Sequence, residues 1–212
     1  MMKRIFFYAS LMALCFSCNS NDDAQPQNED NFYALTVGNE WVYKNYKYNT
    51  NTQLYEDTGV IDSVSIVGTQ ELNGNTYYKF RRWTTGNESG ITFCNENGEH
   101  FELLRDSLGY LINDGGAIKF TNNDYSEREV SSQSWGTIYE KLATGETDMS
   151  VEAGTFSCVF SERYAVESSG NQLPGLDHYY YSDGIGLVFD TSSFVSNPIP
   201  AIERRLDSYT IQ

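Results

Sequence analysis

The sequence predicts an all-β, mainly antiparallel domain, and three observations carry that expectation. Tyrosine and phenylalanine are abundant, with 16 and 12 residues in a chain of 212, and aromatic side chains favour pleated, half-buried surfaces. Turn signals built on Asn and Gly recur at short intervals. Between them, apolar residues alternate with period two, as expected of antiparallel strands with one wet face.

The elements follow in order. In "FYALTVGNEWVYKNY", Gly38 and Asn39 suit a turn before a strand carrying Trp41 and Tyr43. In "SVSIV", Val64 and Ile66 take one face and Ser63 and Ser65 the other. Leu72-Asn73-Gly74-Asn75 then separates this strand from "TYYKFRRW". Asn-Gly is a strong hairpin signal because a type I′ turn needs φ > 0 at both central residues. Asn97-Gly98 is expected to turn "ITFC" into "HFELLR", with Ile91 and Phe93 opposing Thr92 and Cys94. "NDGG" (113–116) separates "GYLI" from "AIKF". The segment "DYSEREVSSQSWGTIYEKL" has the weakest pattern. Further on, Phe156, Cys158 and Phe160 share a face, Gly154 suits a bulge, and Gly184 and Gly186 let a strand kink. No window gives an amphipathic helix longer than about ten residues.

Upstream of this body lies a different kind of sequence. Lys3 and Arg4 precede an apolar run, Ile5 to Phe16, interrupted only by Ser10. That is a secretory n-region and h-region, too short to span a bilayer as a helix. It ends in "LCFSC", with Ser17 before Cys18 and Leu14 four residues upstream. This resembles the lipobox of bacterial lipoproteins, and the variant with Cys15 and Phe16 resembles short-lipobox signals of Bacteroidota. The resemblance implies that residues 1–17 are removed and that Cys18 is lipidated. Each buried CH₂ adds about 0.8 kcal/mol, so several acyl chains on one cysteine anchor durably. A CxxC redox or zinc reading needs a βαβ context or a second cysteine pair, and neither is present.

Residues 18–31, "CNSNDDAQPQNEDN", lack aromatic and β-branched side chains. They cannot build a core and read as an acidic, flexible tether. The acidic run after the cysteine resembles the export signal of surface-exposed Bacteroidota lipoproteins, and that resemblance implies an outer-membrane location facing outward. Residues 32–212 suit a single domain. Loss of Lys3 and Arg4 takes the formal charge from −15 to −17. A chain this acidic is repelled by phosphate backbones, so nucleic acid is a poor partner.

Three phrases resemble a group of Bacteroidota secreted and lipid-anchored proteins. "FYALTVGNEWVYKNY" is similar to their "PLxVGNxWxY" opening, "VEAGTFSCV" to their "VPAGTFxCx" strand, and "YYYSDGIGLV" to their "YYAxGVGLV" strand. A closing strand, "ERRLDSYTI", follows. Ala34 and Glu152 stand where the group carries proline. The resemblance implies a strongly curved sheet, a half-barrel of lipoprotein-carrier or lipocalin-like shape, and implies no catalytic residues.

The search for chemistry finds no catalytic constellation. His100 and His178 belong to no HxH, HExxH or HxxxH pattern, so no histidine-rich metal site is expected. Asp177 and His178 are adjacent in a strand and point to opposite faces, leaving His178 as a solvated histidine. No G-x-S-x-G elbow, calcium loop or phosphate-binding Gly loop occurs, and no carboxylate pair stands out for glycosidase chemistry. No cofactor is expected. Cys94 and Cys158 could form a disulfide in an oxidising compartment, but strand parity favours separate thiols. Asp62-Ser63-Val64 and Asp106-Ser107-Leu108 resemble the Bacteroidota O-glycosylation acceptor, which implies modification at Ser63 and Ser107.

The leading expectation is a non-enzymatic, lipid-anchored envelope protein that binds a hydrophobic or glycan ligand. Trp41, Trp83 and Trp135 are the candidate ligand contacts, with core packing the competing role. The alternatives are an accessory subunit partnering an outer-membrane protein, and a hydrolase of envelope polymers.

Overall fold

The computed structural model describes residues 31–212. The expected signal 1–17, the anchoring Cys18 and all of the tether except Asn31 lie outside the described residues.

The described chain is all strand and turn. A first antiparallel group comprises β1 (Glu40–Asn49), β2 (Leu54–Leu72), β3 (Asn75–Thr85), β4 (Gly98–Ser107), β5 (Tyr110–Asn113) and β6 (Ile118–Thr121). A second comprises β7 (Arg128–Gln133), β8 (Gly136–Leu142), β9 (Thr147–Val151), β10 (Gly154–Glu167), β11 (Gln172–Ser182), β12 (Gly186–Ser192) and β13 (Ile202–Thr210). β1 pairs with β13, which joins the two groups into one sheet of order β6-β5-β4-β3-β2-β1-β13-β12-β11-β10-β8-β7. β9 pairs only with the start of β10.

Two-residue turns set much of the register. Asn73 (φ 52°) and Gly74 (φ 76°) form the expected type I′ link between β2 and β3. Leu108 (φ 57°) and Gly109 (φ 87°) form a second link of this kind between β4 and β5. Leucine is a poor residue for φ > 0. Here Asp106 Oδ1 accepts from the Gly109 N–H at 2.8 Å and holds the turn from outside it.

The sheet is strongly curved but not closed by a backbone ladder. β6 and β11 lie eight strand spacings apart along the sheet, about 38 Å if it were flat. Yet Phe120 on β6 stacks on Tyr181 of β11 with ring centroids 4.1 Å apart. The edge strands β6 and β7 also meet, because Arg128 Nη1 donates to the Ile118 carbonyl at 3.2 Å. The expected half-barrel is therefore present, with a seam bridged by a side chain rather than by strand pairing.

Three sequence expectations are corrected. Ile91–Cys94 is not a strand but part of a loop, 86–97, between β3 and β4. Asn87 accepts from the Ile91 N–H (2.7 Å) and donates to the Asn95 carbonyl (2.8 Å), while Asn97 accepts from the Asn87 N–H (2.8 Å). Amide side chains that take up local backbone groups compete with a ladder. Second, Phe156 packs against the core, whereas Phe160 stacks on Tyr180 on the outer face. β10 changes partners between them, from β9 to β8 and β11, and the alternation does not carry across. Third, His178 is half-buried on that outer face beside Phe160 and Tyr180 instead of being solvated. Burial lowers its pKa, against the pull of Glu162, and Asp177 points the other way, into the barrel.

Candidate ligand cavity of the half-barrel

The concave face encloses a cavity of about 690 Å³, within the range of small-molecule sites. Its floor is apolar and aromatic. Val64, Phe80, Leu104, Leu111, Tyr181 and Leu187 line it, and Trp41 stacks on Phe80 with ring centroids 6.1 Å apart. Below the floor, Ile66, Phe120 and Leu206 are fully buried, and the segment Phe32–Leu35 closes that end of the barrel.

The closed end is where the resembled phrases meet. The Tyr33 hydroxyl donates to the Gly109 carbonyl (2.5 Å), and the Gly184 N–H donates to the Phe32 carbonyl (3.1 Å). Trp41 Nε1 donates to the Ile185 carbonyl (2.8 Å), and the Tyr43 hydroxyl donates to Leu187 (2.9 Å). Buried Asn39 donates to the Ala34 carbonyl (2.8 Å) and accepts from the Gln212 N–H (2.9 Å). The Ala153 N–H donates to the Leu206 carbonyl (3.1 Å), tying the "VEAGTF" phrase to the last strand. Ala34 has φ 51°, a conformation that the pyrrolidine ring of proline forbids. These phrases do structural work, sealing one end of the cavity.

Above the floor runs a belt of polar side chains, set side by side by the register. Arg128 pairs with Glu140, Glu140 with Arg163, and Arg163 with Asp177 on successive strands. Tyr179 pairs with Asp190, Asp190 with Arg204, and Arg204 with Asn45. Asp62 pairs with Thr84. Glu140, almost wholly buried, accepts from Arg128 (2.6 Å) and from Arg163 (2.9 and 2.6 Å). Arg204 is bidentate to Asp190, and its pKa is raised because Asp190 outweighs the burial that opposes its charge. Buried Asp62 accepts from Thr84 (2.5 Å), Asn45 (3.1 Å) and Asn95 (3.1 and 3.2 Å). Burial raises Asp177 to about 6.

The mouth lies beyond the belt. Loop 86–97 reaches over it, fixed by the Asn95–Asp62 contact, and Phe93 meets Phe194 of the β12–β13 loop edge-on at 4.8 Å. Phe93 holds φ 69°, an uncommon value for an aromatic residue.

The predicted site residues disperse. Trp41 is buried and lines the cavity. Trp83 is 49% exposed on the outer side of β3, and Trp135 is 42% exposed in the β7–β8 turn. The three tryptophans therefore form no common platform. Cys94 and Cys158 are both unbonded, but Cys94 lies in loop 86–97, so the strand-parity reason given for separate thiols does not apply to it. Burial pushes the Cys94 thiol to about 11 and Cys158 to about 12, which keeps both protonated. Ser63 is exposed in mid-strand and Ser107 ends β4 beside the Leu108-Gly109 turn. Among the described residues there is no group of three or more His, Cys, Asp or Glu that could hold a metal ion. The arginine belt was missed by the sequence reading. Its only sequence signal is an Arg or acidic residue at inward-facing positions of several strands, legible only once each strand's phase is known.

No family model matches the chain, and neither does any curated protein. Solved structures do. One is a "putative exported protein with YmcC-like fold" from Bacteroides fragilis, with TM-score 0.52 and 11% identity, covering 84% of this chain and 98% of that one. Another is a "putative lipoprotein" from Parabacteroides distasonis, with TM-score 0.45, 14% identity and the same coverages. The first likeness is one of fold, and it gives the half-barrel a YmcC-like architecture.

Proposed function

We propose that this chain is a lipid-anchored cell-envelope protein whose half-barrel acts as a non-catalytic carrier or receptor for a small hydrophobic ligand. The observation that carries the reading is the cavity itself, closed at one end by aromatic packing and open at the other. Its floor offers apolar surface worth about 25 cal/mol per Å² covered. A glycan platform has weaker support, because Trp83 and Trp135 stand apart from each other and from Trp41. The lipobox resemblance supports the envelope location, and so does the likeness of fold to the "putative exported protein" of Bacteroides fragilis. Acylation falls on Cys18, with the outer membrane as its destination.

Native mass spectrometry of protein isolated from its own envelope tests the binding role. A bound small molecule of defined mass is expected. A bare protein mass, or recovery of one stoichiometric protein partner, argues instead for the accessory-subunit reading. The anchor is tested separately, since Cys18→Ala is expected to move the protein from the membrane to the soluble fraction.

A further inference from the structure

We infer, on the footing that the half-barrel holds a small ligand, that the ligand is a carboxylate-headed amphiphile whose head is gripped by Arg82. The cationic side chains around the cavity are not equivalent. Arg163 spends Nε and Nη2 on Glu140 and Nη1 on the Tyr179 hydroxyl (2.8 Å). Arg204 spends Nε and Nη2 on Asp190. Lys119 is paired with Glu102.

Arg82 differs. Its Nε is buried without a hydrogen-bond partner, and the nearest carboxylate oxygen, Asp62 Oδ1, lies 4.0 Å from it. Asp62 is already engaged by Thr84, Asn45 and Asn95. The side chain is part-exposed, and Arg82 is one of the residues that line the cavity. Burial works against its charge, Asp62 supports it, and Arg204 adds to the cost. Nη1 and Nη2 are not buried and have no hydrogen-bond partner among the described residues, so an anion in the cavity would be held by them while Nε stays covered.

The class of anion follows from the surroundings. A guanidinium matches a planar carboxylate in a bidentate fork. A phosphate monoester would bring a second negative charge toward Asp62, Asp190 and Glu102. The body of the ligand is set by the next inward residue on β3. Phe80 is two residues from Arg82, about 6.8 Å along the strand, and with Trp41 it opens the apolar floor.

The test is native mass spectrometry of the full-length protein released from detergent, titrated with dodecanoate and separately with dodecanol. Wild-type protein is expected to prefer dodecanoate by tenfold or more. Arg82→Met is expected to bring that ratio close to one while dodecanol binding persists, which also shows that the variant is folded. Arg82→Lys should keep an intermediate preference. Equal binding of acid and alcohol by the wild type, or a preference that survives in Arg82→Met, overturns the head-group assignment and leaves the cavity reading standing. Binding of neither compound overturns both.

Discussion

At the closed end of the half-barrel, Phe32–Leu35 is held by hydrogen bonds to three separate parts of the chain and packs on Phe120, Tyr181 and Ile66. At the open end, the same strands carry Arg128, Glu140, Arg163, Asp190, Arg204 and Asp62 toward the interior. The first region is stabilised by burying apolar surface, a term that depends little on which partner does the covering. The second depends on each charge finding its specific neighbour, because an unpaired buried charge costs several kcal/mol. The contrast teaches where to look for function. A region with every apolar face covered reports on folding, while the inward Arg82, whose Nε lacks a hydrogen-bond partner, is the place to test for a ligand.

The largest effects should come from cutting each region at its centre. Phe120→Ala at the closed end is expected to lower unfolding stability by about 3–5 kcal/mol, read by urea denaturation. Glu140→Ala in the belt is expected to cost a similar 3–5 kcal/mol, because it strands two guanidinium groups. A loss below about 1 kcal/mol for Glu140→Ala would mean that the belt is wet and its pairs are worth only what surface pairs are. That result would break the contrast between the two ends.

A smaller change sharpens it. Asn39→Ala removes one donor and one acceptor that tie the opening segment to the C-terminus. The buried Ala34 carbonyl left without its donor costs about 1–3 kcal/mol, while the N–H of exposed Gln212 can turn to water, so destabilisation should be clear but less than for Phe120→Ala.

The belt also predicts a pH signature that the closed end lacks. Asp177 in the fold titrates at about 6, above its ordinary value of 3.8, chiefly because of burial. A carboxyl raised in this way binds its proton more tightly in the native state. Its contribution is favourable below the ordinary pKa and is lost as the pH rises through the folded pKa. Asp177→Asn should therefore melt at a higher temperature than wild type at pH 8, with the advantage gone by about pH 4. An advantage that is the same at both pH values would show that the substitution acts through packing instead.

The smallest effect belongs to neither region. Trp83→Ala, on the outer side of β3, is expected to change stability by no more than about 0.5 kcal/mol, and to leave ligand binding unchanged. A loss of dodecanoate binding in this variant would move the site from the concave face to the outer one.

Much of the fold was legible in the residues. Asn73-Gly74 announced its hairpin because type I′ geometry admits few other pairs. Val64 and Ile66 announced an inward face because alternation is forced by the pleat. The Leu108-Gly109 turn was not legible, since its stabilising contact comes from Asp106 and leucine disfavours that backbone. The run 91–94 reads as a strand, and only the amides of Asn87 and Asn97 turn it into a loop over the mouth. Of the three tryptophans singled out, one faces the cavity.

The sequence by itself determined the class of element and the strand alternation, because these depend on neighbours one to four residues away. It also holds the lipobox resemblance, in the short phrase ending at Cys18, on which the proposed location rests. The tertiary structure alone decided which inward positions share a belt, and that Phe120 and Tyr181 meet across eight strand spacings. It also decided that Arg82, among the arginines lining the cavity, is left with an unpartnered nitrogen. Those facts depend on cross-strand register and sheet curvature, which are summed over the whole sheet and written in no single stretch of it.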